Sequence, residues 1–140
     1  MTNLYEILAQ EAAEMDAEDK KIERVLKEKG FDGLSEVNKK IAKTYLDYEP
    51  TIFDKELYKK LTYTEKIKAY RNDIDTKKTY DWYVSSIRYR LRGEEFKPYK
   101  TMSQEGVQMV SDGRFLEFHL ETLLELEYEL KQKYNEEGDK

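Results

Sequence analysis

The chain has 140 residues, with 25 Lys and Arg against 30 Asp and Glu, one His, no Cys and a formal charge of −5, which is one domain's worth of chain. The lack of any thiol excludes a disulfide scaffold, Cys-ligated zinc or iron–sulfur centres and a Cys nucleophile. A composition 39% charged would suit disorder if rings were scarce, but twelve Tyr, five Phe and one Trp supply large buriable surface, and the chain is expected to fold.

In chain order, the first signal is Asn3 with Glu6 three residues on, a capping-box-like start for a helix opening at Leu4. Leu8, Ala12, Met15, Ile22 and Leu26 line one face of that helix, with Asp19 in the one vacant place, and Gly30 with Gly33 ends it near Lys29. Ser35 caps a second helix whose face is Val37, Ile41, Tyr45 and Tyr48, and Pro50 stops it because its ring cannot continue the hydrogen-bond ladder. A short helix is expected over 53–61, opened by Thr51, and another over 65–72, opened by Thr64.

The segment 76–92 fits two periods. Tyr80, Tyr83, Val84, Ile87 and Leu91 form a helical stripe, while Tyr83, Ile87, Tyr89 and Leu91 alternate with Arg88, Arg90 and Arg92 as a strand would. Its length and the caps at Thr76 or Thr79 select helix, with a small β-hairpin or wing near 86–101 as the alternative. From Gly93 to Lys100 the pattern breaks into a loop, and Ser103 starts a brief helix. After Ser111-Asp112-Gly113, Leu116, Leu120, Leu123, Leu130 and Tyr134 repeat the spacing of the first helix, with Glu127 at the vacant place; an acidic residue there is expected to face solvent at a helix edge, since a charge in a seam is costly unless paired.

These elements predict a mainly α, single-domain helical bundle of about five or six helices over 1–134, with long first and last helices and a frayed acidic tail at 135–140. No stretch approaches the ~20 apolar residues of a bilayer-spanning helix, and the N-terminus has neither a basic start nor an apolar run, so the expectation is a cytoplasmic protein with no membrane partner.

The charge is partitioned. Residues 1–54 hold 8 basic and 13 acidic side chains, residues 55–100 hold 13 and 7, and residues 101–140 hold 4 and 10. The basic middle is interleaved with rings, and its expected contact surface is Lys77, Lys78, Arg88, Tyr89, Arg90, Arg92, Lys97, Tyr99 and Lys100. Clustered cations can neutralise phosphate and aromatic faces can stack bases, so a DNA or RNA partner is one reading. The outline of 65–72, a tight connection at 74–76 and 77–92 resembles a helix-turn-helix, although Lys68 and Asp73 occupy places where apolar residues and Gly are expected.

Catalysis has little support. His119, the single imidazole, has no helical neighbour at metal-ligand spacing, and no Gly-rich phosphate cradle is present. Asp81 with Glu95 and Lys97 could be arranged as in a metal-dependent nuclease, but the same acid–Lys spacing recurs elsewhere by chance in so charged a chain. The favoured expectation is a non-catalytic binding protein with no cofactor and no metal, engaging a protein partner, with nucleic acid second and homodimerisation through the end helices open. In composition the chain is similar to accessory and anti-defence proteins of bacteriophages, which implies an inhibitor or modulator of a nucleic-acid-handling machine.

Overall fold

The computed structural model describes residues 3–138, with side-chain surroundings for 3–134. The helices are α1 (Leu4–Lys29), α2 (Glu36–Leu46), α3 (Lys55–Lys60), α4 (Tyr63–Leu91), α5 (Gln104–Ser111) and α6 (Arg114–Gly138), with a 3₁₀ turn at Phe31–Gly33. The fold is mainly α, and among the described residues there is no strand. No helix among them is long and apolar enough to cross a membrane.

Local signals account for most boundaries. Asn3 Oδ1 accepts from the Glu6 amide at 2.8 Å, Ser35 Oγ from the Asn38 amide at 3.2 Å and Ser103 Oγ from the Gly106 amide at 3.1 Å, so three helices start at their expected caps. Gly30, at φ 76°, ends α1 with its amide on the Leu26 carbonyl. Two caps differ from expectation. Helix α3 is opened by Asp54, whose Oδ1 accepts from the Leu57 amide at 2.9 Å, while Thr51 donates elsewhere. Helix α4 is opened by Thr62 rather than Thr64: the Glu65 amide donates to Thr62 Oγ1 and the Thr62 amide donates to Glu65 Oε1, a reciprocal capping box.

The expected break at 74–76 does not exist. Helix α4 runs through it for 29 residues, because the run from Asn72 to Thr76 contains no Gly or Pro to stop it. Thr76 and Thr79, read as caps, instead donate their hydroxyls back to the Asn72 and Asp75 carbonyls at 2.7 Å each, the mode of a helix interior. The helix-turn-helix outline is therefore absent. So is the wing: 86–91 is helical and 92–103 returns without pairing as a strand.

The chain divides into two compact units. The first comprises the residues up to Tyr48 together with Leu61–Lys68. Its core is Ile22, Leu34, Ala42, Tyr63 and Ile67, with Val25, Leu26, Tyr45 and Leu46 packed against it. Each fully buried aliphatic side chain of this kind contributes about 1.5–3 kcal/mol. Tyr45 and Tyr63 meet edge to face at 5.8 Å. Burial raises the Tyr63 phenol well above its ordinary range, with Asp19 and Tyr45 adding to the effect. The faces read from sequence are only partly the buried ones: Ile22 and Leu26 of α1 pack, while Leu8, Ala12 and Met15 are exposed. In α2, Val37 and Ile41 are exposed, while Ala42 is buried and Tyr45 and Leu46 pack against the core.

The second unit comprises Glu49–Lys60 and the residues from Ala69 onward. Phe53, Leu57, Tyr58, Ala69, Val110, Leu123 and Leu130 are buried in it. Two carboxylates are buried with them. Asp73, fully enclosed, accepts from the amides of Thr51, Ile52 and Phe53 at 2.9, 2.7 and 2.8 Å, which pins the segment before α3 to the middle of α4. Glu127 accepts from the Asp54 amide at 2.8 Å, pinning the same segment to α6. Glu127 was expected at a solvent-facing edge; it is instead a seam residue, satisfied by a backbone donor 73 positions away. Thr76 also donates to the His119 carbonyl at 3.2 Å, joining α4 to α6. Helix α6 continues past Tyr134 to Gly138, and the frayed tail expected at 135–140 falls outside the residues whose side chains are described.

Candidate binding surface

The nine residues expected to form a contact surface all lie in the second unit, on the C-terminal half of α4 and the loop that follows it. The loop begins at Gly93, whose φ of 72° is open to glycine without a side-chain penalty. The Glu94 amide donates to the Tyr89 carbonyl at 2.9 Å and the Gly93 amide to the Arg90 carbonyl at 3.1 Å, the paired bonds of a Schellman C-cap. This cap reverses the chain so that its rings fall back onto α4. Phe96 meets Tyr89 at 5.5 Å, and Tyr99 meets Trp82 edge to face at 5.3 Å. Lys78 completes the second contact: its ammonium lies 4.9 Å from the Trp82 ring centre and donates to the Tyr99 hydroxyl at 2.6 Å.

The cations divide by what they meet. Lys77 is held by Asp81 through two contacts of 2.6 and 2.8 Å, and Lys97 pairs with Glu95 at 3.3 Å; both pairs are solvent-exposed and worth at most about 1 kcal/mol each. Arg88, Arg90, Arg92 and Lys100 are exposed and form no ion pair with a described carboxylate. Arg88 and Arg90 are in the last turn of α4, and Arg92 follows its end, with its amide donating to the Arg88 carbonyl at 3.2 Å. The structure thus brings Lys78 together with Trp82 and Tyr99, and Tyr89 with Phe96, and leaves Arg88, Arg90 and Arg92 exposed near the end of α4 without a described ion pair.

Other residues singled out from sequence have structural places. Tyr58 and Tyr63 are core residues, and Tyr83 packs under Gly113. His119 is half-buried, with its ring 5.4 Å from Phe118. Asp81 and Glu95 are each taken by a lysine, and among the described residues no group of three His, Asp or Glu side chains could hold a metal ion.

Sequence reasoning missed two surfaces. One is a shallow groove of about 340 Å³ in the second unit, where Tyr83, Leu116, Leu120 and Leu124 form an apolar floor and Glu117 and Glu121 an acidic edge. The other is the first half of α1, exposed along its whole length. The leucine spacing of α6 and the apolar spacing of α1 were visible, but the same spacing marks a buried stripe, so periodicity alone cannot separate the two. The chain matches no protein-family profile, no curated protein and no solved structure.

Proposed function

We propose that this protein acts by binding rather than by chemistry, and that its docking face is the cationic–aromatic platform of α4 and the loop behind Gly93, presented to an acidic partner protein. The observation that carries this reading is that Arg88, Arg90 and Arg92 stand in solvent with no intramolecular carboxylate among the described residues, although the chain has an excess of acids. A bundle that merely neutralised itself would match its arginines first. Arg presents a rigid fork suited to two-point contact with carboxylates, and Tyr and Arg are the residues that anchor interface centres.

A protein partner is favoured over nucleic acid by the state of the rings. Trp82 and Tyr99 are already engaged with Lys78 and with each other, and Tyr89 with Phe96, so these rings are partly committed within the chain before any base could stack on them. The continuity of α4 also removes the helix-turn-helix that would deliver a recognition helix to a groove. The composition's likeness to phage accessory proteins supports a role in modulating a nucleic-acid-handling machine by contact.

The test is comparative copurification from the source cell with the wild-type chain and an Arg88→Glu, Arg90→Glu, Arg92→Glu variant of unchanged circular dichroism. A partner retained by the first and lost by the second is the expected result; equal retention removes the platform from consideration. Oligonucleotide binding titrated against salt decides the partner class. A log–log slope of several units would assign the platform to phosphate instead of protein carboxylates.

A further inference from the structure

We draw no further inference here: the strongest candidate, the shallow groove of the second unit floored by Tyr83, Leu116, Leu120 and Leu124 and edged by Glu117 and Glu121, carries nothing because nothing in the structure shows what covers it, its acidic edge suiting a basic partner protein, a small organic cation and the exposed arginines of a second copy alike.

Discussion

Asp73 shows how one residue can organise a region that its neighbours in sequence do not hint at. Its carboxylate is enclosed, and burying a charge is costly unless its lone pairs are filled; here three consecutive amides and the Thr51 hydroxyl do so. Hydrogen bonds to charged acceptors contribute more than neutral ones, so Asp73→Ala is expected to destabilise the protein by about 3 kcal/mol or more, read as a lowered urea midpoint. Asp73→Asn keeps one carbonyl acceptor and should cost less. An Ala variant within about 0.5 kcal/mol of wild type would show that the 51–53 segment is held by Phe53 packing alone. The sequence placed Asp73 as a misfit in a helix-turn-helix, and the misfit was real: the residue serves a long-range contact instead of a turn.

The element that shapes the proposed platform is the C-cap of α4. Gly93 sits in the left-handed region with nothing within 4 Å of where a Cβ would stand, so the effect of Gly93→Ala is conformational and not steric. That variant should cost about 1–2 kcal/mol. It should also loosen the return loop, visible as loss of the ring-current shifts that Trp82 and Tyr89 impose on Tyr99 and Phe96. Full retention of those shifts would mean that the two ring contacts, and not the cap, set the loop's path. Helix existence was legible because capping and spacing act within one or two turns: Asn3, Ser35, Ser103 and Gly30 act where they were placed. Which stripe becomes buried was not legible in α1 or α2. The exposed Leu8 and Val37 have the same local credentials as the buried Ile22 and the half-buried Leu26, and only the path of the rest of the chain distinguishes them.

At the scale of the whole molecule, two carboxylates tie stability to pH. Burial pushes the Glu23 carboxyl up, but donation from the Thr64 amide and hydroxyl and from Thr62, with Lys27 nearby, outweighs it and leaves the group below its ordinary 4.5. Asp54 lies below its ordinary 3.8, chiefly because the Leu57 amide donates to it, with Lys131 adding to the effect against a small burial penalty. Both pKa values are depressed in the folded state, so the stability they provide is complete above about pH 4.5 and is lost as pH falls through the folded values. Urea midpoints measured from pH 7 to pH 2.5 should fall in that acid window, and the Glu23→Gln, Asp54→Asn double variant should show a flatter curve. A curve of unchanged steepness would place the acid sensitivity in other carboxylates. The sequence by itself determined the helical class, the caps at Asn3, Ser35, Ser103 and Gly30, the absence of thiol chemistry and the division into acidic ends and a basic middle. All of these follow from residue type and from spacings shorter than a few turns. Tertiary structure alone decided that α4 runs unbroken through 74–76, that Asp73 and Glu127 are buried, that Arg88 and Arg92 remain unmatched, and that the start of α1 stands clear. Those outcomes depend on donors and apolar faces tens of residues distant, which local periodicity does not encode.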